Sequence, residues 1–354
     1  MAPVTRIDCD VHPALPGTGA LLPYLDAHWH EQVTSRGIDG MDLASYPPQM
    51  PFCGRPDWRP AAGKPGSHPD MLMRQALDAF GSSIAICNCL YGAQAAFDPY
   101  MAAAFCRAVN DWVAAEWLDH DARLRASIVV PMQDPDLAVE EIERRAGDRR
   151  FVQVLVLVTG ELLLGRRQFW PVYAAAERHG LPLGIHAGSQ HRQAPSSIGW
   201  PSYRLEYYVA EAQAFQSQLL SLVLHGVFAR FPDLRVVLME SGLSWLPAFM
   251  WRANKTWRGV RIEVPWVDRP PAEILREHVR LTIQPFDGPA GPGDIARLIE
   301  QIGSDRMLLF ATDYPHWHFD GDDAVPAGLE PDLVEAICQE NPLETYPRLR
   351  EAVT

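Results

Sequence analysis

The chain has 354 residues, 47% of them hydrophobic, and a formal net charge of −13. That length accommodates one large domain or two ordinary ones, and no apolar stretch reaches the roughly 18 residues that span a bilayer. The acidic balance, without a basic stripe to neutralise phosphates, argues against nucleic acid as a partner. The start, Met1 to Arg6, holds no apolar signal region, which predicts a cytoplasmic protein. The six cysteines (Cys9, Cys53, Cys87, Cys89, Cys106 and Cys338) are scattered and form no Cys-x-x-Cys pair. They read as reduced thiols.

The first apolar run, 5–12, predicts a strand that carries Asp10 and His12 two residues apart. Side chains at that spacing share a face, so the pair can reach one point in space, as two ligands of one metal ion would. Asp8 shares the face and is an alternative ligand, but it lies deeper and is expected to hydrogen-bond inside the fold. Residues 13–70, rich in Pro, Gly and aromatics, follow as a long insertion. Further strands are predicted at 83–89 and 125–131, with a helix over 99–118 between them. The run 151–158 is almost continuously apolar, as expected of a parallel strand buried on both faces.

A helix from Gln168 to His179, stopped by Gly180, leads into the strand 182–187 with His186 at its end. A second long segment, 188–205, precedes an amphipathic helix over 207–230. His225 lies on that helix and is assigned to packing, away from any site. The strand 235–240 ends at Glu240. A third segment, 241–278, holds four tryptophans. The strands 279–284 and 307–313 close the series, the last ending at Asp313. Eight strands alternating with helices predict a distorted (β/α)8 TIM barrel with long loop insertions at its C-terminal face. A doubly wound open sheet is the rival, but no Gly-rich fingerprint follows any run. The whole of 1–354 is read as a single metal-dependent domain, with the insertions 13–70, 188–205 and 241–278 enclosing substrate.

In a closed barrel the strand ends converge on one mouth. Two imidazoles and two carboxylates there suit Zn²⁺, Mn²⁺ or Fe²⁺, at roughly 2.0–2.2 Å. Each residue also has a plainer reading. Asp313 could cap the turn before Tyr314-Pro315, and Glu240 could pair with Arg252. His316 or His318 could hydrogen-bond the metal site, or serve a turn. His191 and Arg192 could grip an anionic substrate group, or be solvated loop charges. Trp29, Trp200, Tyr203, Trp245 and Trp317 fall in loops of the catalytic face and favour a flat or bulky apolar substrate. Only two lysines exist, Lys64 and Lys255, and neither ends a strand. That excludes a dinuclear site bridged by a carboxylated strand lysine and argues against Schiff-base chemistry.

The ordered pieces Ile7-Asp8-Cys9-Asp10-Val11-His12-Pro13, Gly184-Ile185-His186-Ala187-Gly188, Phe228 through Leu238, and Thr312-Asp313-Tyr314-Pro315-His316-Trp317 carry a resemblance. The chain resembles the amidohydrolase superfamily, in the branch of aminocarboxymuconate-semialdehyde decarboxylase and related aromatic-acid decarboxylases. The resemblance implies one divalent metal, zinc first, held by Asp10, His12, His186 and Asp313, and a homodimer. One departure bears on mechanism: the branch's decarboxylases usually carry a His at the end of strand six, where this chain has Glu240. An ionised Glu there would repel a carboxylate substrate, whereas it suits a base or a metal ligand. The favoured reading is therefore a metal-dependent hydrolase. Activated water attacks an ester, lactone, amide or thioester of an aromatic or bulky apolar acid, and Asp313 or Glu240 takes the proton, beside His186. The alternative is non-oxidative decarboxylation of a hydroxy-aromatic or unsaturated acid. A barrel that binds without turnover is a third reading, opposed by intact ligands at separated strand ends. In each case the partner is a small molecule, with no nucleic acid and no membrane.

Overall fold

The computed structural model describes residues 6–41, 54–189, 194–316 and 323–353. Eight strands, β1 (Arg6–Val11), β2 (Ser82–Cys87), β3 (Leu124–Val129), β4 (Phe151–Thr159), β5 (Leu183–Ser189), β6 (Val236–Met239), β7 (Val279–Thr282) and β8 (Leu308–Leu309), form one sheet in sequence order. Every neighbouring pair is parallel. β8 is only two residues long, yet the circle closes beyond it. Cys9 N donates to Phe310 O at 2.9 Å, Asp313 N to Asp10 O at 3.1 Å, and His12 N to Tyr314 O at 2.8 Å. The expected (β/α)8 barrel is thus the fold.

All nine residues of β4 are buried, which accounts for the unbroken apolar run around Gln153. Helices return the chain between strands. Two begin with the same device: Asp98 caps the helix Pro99–Val113 and Asp134 caps Pro135–Arg145. In each, the carboxylate accepts two backbone N–H groups and Pro occupies the first turn, whose missing donor costs nothing there. Such a cap is worth about 1 kcal/mol.

The helix Arg204–Leu224 leads from β5 towards β6, and helices Leu246–Val260 and Pro271–His278 occupy most of the segment after β6. Lys64 and Lys255 are both exposed. Five of the cysteines, all but Cys53, are buried free thiols; Cys53 lies outside the described residues. No helix among the described residues is long and apolar enough to cross a membrane.

Candidate active site

The two side chains at the end of β1 and just past it do converge. Asp10 and His12 are buried, and His12 Nε2 stands 3.3 Å from Asp10 Oδ1. β5 brings His186, buried at 1% exposure, to 3.6 Å from Asp10 Oδ2. Asp313, beyond β8, places Oδ1 2.8 Å from His12 Nε2 and 2.8 Å from His316 Nδ1. Glu240, just past β6, sets Oε1 3.1 Å from His316 Nδ1, 3.5 Å from His186 Nε2 and 3.6 Å from His12 Nε2. The rings pack as well as bond: His12 stacks on His316 at 4.7 Å and meets His186 edge-on at 5.0 Å. Residues from separate strand ends, three hundred positions apart at the extremes, thus form one ring.

Backbone geometry explains how the last two carboxylates turn inward. Glu240 and Asp313 are the described non-glycine residues with positive φ, both at 55°. Left-handed backbone at such residues costs about 1–3 kcal/mol and persists where surrounding contacts over-determine it. Thr282 Oγ1 receives Glu240 N–H at 3.3 Å. Asp313 O receives His316 N–H at 2.8 Å. The turn after Asp313 is therefore closed by its backbone, leaving the carboxylate to the imidazoles instead of to a cap.

Two histidines are oriented for a cation. His12 Nδ1 donates to Asn88 O at 3.0 Å, and His186 Nδ1 donates to Ala187 O at 2.7 Å. Each Nε2 therefore points into the ring, where it can bind a cation in place of a proton. His186 Nε2 and Asp10 Oδ2 are buried and make no hydrogen bond among the described residues, which is costly unless something charged sits between them. Donor atoms from His12, Glu240, Asp313 and His316 lie within 4.8 Å of one another, and so do those from Asp10, His12 and His186. Nitrogen and oxygen donors so placed fit a divalent cation.

The electrostatics agree. Burial alone would raise the Asp10 carboxyl, but His12 and His186 outweigh it and hold it below its usual value. Burial and Asp313 push Glu240 up, and His186 and His316 overcome them and hold it low. Burial opposes a proton on His186, yet Glu240 and Asp10 raise it to about 9. Burial likewise opposes a proton on His316, and Asp313 and Glu240 lift it well above the ordinary imidazole value. The carboxylates thus demand positive charge, and a divalent cation can replace the imidazole protons.

Among the other sequence candidates, Asp8 stays inside the barrel, with Oδ2 accepting from Thr312 Oγ1 at 2.6 Å. Burial raises its carboxyl to about 7. Glu240 forms no ion pair with Arg252; its partners are the three histidines. His225 ends the helix Arg204–Leu224 and is exposed, so it stays outside the site but does not pack. Trp29 lies half-buried in the helix Ala27–Arg36. Trp200 and Tyr203 are 53% and 69% exposed. Trp245 is half-buried and donates from Nε1 to Ser241 O at 2.8 Å, beside Glu240. His191, Arg192, Trp317 and His318 lie outside the described residues.

Two features were missed. Asn88 donates from Nδ2 to Asp10 Oδ1 at 2.8 Å. Glu211, buried in the helix Arg204–Leu224, accepts Gly188 N–H at 2.6 Å two residues past His186, and burial raises it to about 7. Asn88 sits at the end of a predicted strand, which was a usable signal; a lone Glu within a helix is none.

A parallel eight-stranded barrel with a ring of His and carboxylate at its strand ends defines a class of metal-site barrel. Comparison with known proteins agrees. The family model Amidohydro_2, "Amidohydrolase", matches residues 7–348, and the chain belongs to that family. The gamma-resorcylate decarboxylase of Rhodococcus jostii (strain RHA1) is 30% identical over 224 residues, covering 59% of this chain and 65% of that one, just under two thirds of its length. Dihydroxybenzoic acid decarboxylase from Polaromonas sp. JS666, solved with bound manganese and the inhibitor 2-nitroresorcinol, superposes with a TM-score of 0.66 at 21% identity, over 97% of both chains. An amidohydrolase from Mycobacterium avium subsp. paratuberculosis K-10 gives 0.73 at 21% identity, over 98% of both.

These findings overturn the favoured reading of hydrolysis. Four curated relatives that the chain matches are named gamma-resorcylate decarboxylases. The error lay in treating Glu240 as a bare charge that would repel a carboxylate. Three imidazoles surround it, so its charge is compensated before any substrate arrives.

Proposed function

We propose that the protein is a non-oxidative decarboxylase of a hydroxy-aromatic carboxylic acid that uses one divalent metal. The observation that carries this reading is the joining of a cation-type donor ring to a proton-holding pair, Asp313 and His316, in a relative of gamma-resorcylate decarboxylases. Asp10, His12, His186 and Asp313 would hold the cation. Bound there, it would supply a chelating positive charge for a carboxylate and an adjacent hydroxyl. Manganese suits mixed nitrogen and oxygen donors, and the Polaromonas decarboxylase was solved with manganese bound. Zinc, the homodimer, the cytoplasmic location and the single domain with its three enclosing segments belong to the same reading and rest on the sequence.

The chemistry left to the side chains is proton transfer. The bond from ring carbon to carboxyl carbon breaks, its electron pair stays on the ring, and a proton replaces carbon dioxide. Asp313 faces the ring of donors and is the group we assign to deliver that proton. His316, hydrogen-bonded to Asp313 Oδ1 and to Glu240 Oε1, holds the replacement proton. Glu240 keeps His316 charged. Positioned proton donors of this kind contribute roughly 10²–10⁴-fold.

The test is turnover of a panel of hydroxybenzoates in deuterium oxide by the manganese-loaded protein. Carbon dioxide release with one deuterium on the carbon that lost it is expected. Turnover of esters or lactones with solvent oxygen in the acid, and none of the hydroxybenzoates, would overturn the proposal.

A further inference from the structure

The barrel interior carries a column of polar residues that ends on the candidate metal site. Asn88, one residue past β2, is fully buried. Its backbone N–H donates to Val11 O at 2.8 Å, which ties it to β1 between the two ligand positions. Its backbone carbonyl accepts His12 Nδ1–H at 3.0 Å. Its side-chain Nδ2 donates to Asp10 Oδ1 at 2.8 Å. One residue therefore sets the ring tautomer of His12 and holds Asp10 Oδ1, which itself lies 3.3 Å from His12 Nε2. Asp10 Oδ2 is left 3.6 Å from His186 Nε2, with no hydrogen bond among the described residues.

An asparagine amide works this way only if it is not flipped, because the reversed amide would set oxygen against the Asp10 carboxylate. The column prevents the flip. Ser127 Oγ donates to Asn88 Oδ1 at 2.6 Å. Gln153 Nε2 donates to Ser127 Oγ at 2.9 Å. Tyr346 OH donates to Gln153 Oε1 at 3.1 Å. All four residues are buried, and all the donors run in one sense, from the C-terminal Tyr346 to Asp10. Chains aligned in that way polarise one another and strengthen each bond. The fold also keeps room for the column: a Cβ on Gly184 would lie 2.5 Å from the Gln153 amide.

We infer that Asn88 is a positioning residue for the cation, and that the Ser127–Gln153–Tyr346 column fixes the sense of its amide. The inference rests on the metal-site reading but not on the reaction proposed. Its test is the affinity of the metal-free protein for Mn²⁺, read by the paramagnetic signal of free Mn²⁺, with the melting temperature measured with and without the ion. Asn88→Ala should weaken Mn²⁺ binding by roughly 10–100-fold, the usual cost of losing a group that orients ligands. Ser127→Ala should weaken it in the same direction by less. The rise in melting temperature on adding Mn²⁺ should shrink in step. A general packing defect would lower the metal-free melting temperature and leave affinity alone. Wild-type affinity in folded Asn88→Ala overturns the inference; if that variant does not fold, wild-type affinity in Ser127→Ala does so. A wild-type protein that binds Mn²⁺ but releases no carbon dioxide would remove the reaction and leave this inference standing, whereas one that binds neither Mn²⁺ nor Zn²⁺ would remove both.

Discussion

The two sides of the rim use the same residue types differently. On the β8 side, Asp313 Oδ1 lies 2.8 Å from both His12 Nε2 and His316 Nδ1. These are ordinary hydrogen-bond lengths. On the β5 side, His186 Nε2 stands 3.6 Å from Asp10 Oδ2 and 3.5 Å from Glu240 Oε1, too far for good hydrogen bonds, and His186 Nε2 and Asp10 Oδ2 find no other partner among the described residues. On the proposed reading one side holds and passes protons and the other receives a cation, with His12 shared between them. Removing a residue from each side should therefore have different consequences.

The largest effect is expected on the cation side. His186→Ala removes a buried nitrogen donor whose orientation Ala187 O fixes, and should abolish both metal content and turnover. Metal analysis of the purified variant beside its activity tests this, and a fully active His186→Ala protein would refute the ligand assignment. Asp313→Asn should act differently. The amide keeps the shape and one oxygen, so metal should still be found, more weakly held. Turnover should fall by roughly 10²–10⁴-fold, the range for a lost proton-transfer group. If Asp313→Asn loses its metal as completely as His186→Ala, the two sides are one unit and the comparison fails.

Much of this division was legible in the sequence. The eight strands stood out because parallel strands buried on both faces leave continuous apolar runs, β4 above all. Asp10 and His12 were legible through strand parity, and His186, Glu240 and Asp313 through their place at the ends of runs. The length of β8 was not: only Leu308 and Leu309 form regular ladder, because the following residues bond to β1 across the closure. The sequence carries no signal for Gln153 and Ser127, since their partners meet them only when the barrel is closed. The company around Glu240 was equally hidden. Its charge was visible in the sequence, but His316 from beyond β8 and His12 from just past β1 come beside it only in the fold. Trp200 and Tyr203, read as substrate walls, are largely exposed, and loop position alone does not say which way an aromatic ring turns.

The smallest effect falls on Glu240, the residue that touches both sides. Glu240→Gln keeps the side-chain shape and an oxygen acceptor but removes the charge that helps hold a proton on His316, where burial opposes it and Asp313 and Glu240 favour it. The remaining carboxylates, Asp10 and Asp313, still provide anionic oxygens, so metal content should match the wild type. With less pull on the His316 proton, Asp313 is resupplied more slowly, and turnover should drop by roughly 10–100-fold, less than the about 10²–10⁴-fold lost with a proton-transfer group itself. Because a neutral amide in place of the carboxylate holds the His316 proton less firmly, the variant should lose activity at lower pH than the wild type on the alkaline side. A pH–rate profile of both proteins, each with its metal content measured, reads the rate and the shift together. A wild-type rate and profile in Glu240→Gln would remove Glu240 from the proton path and leave it as a spectator between the two sides.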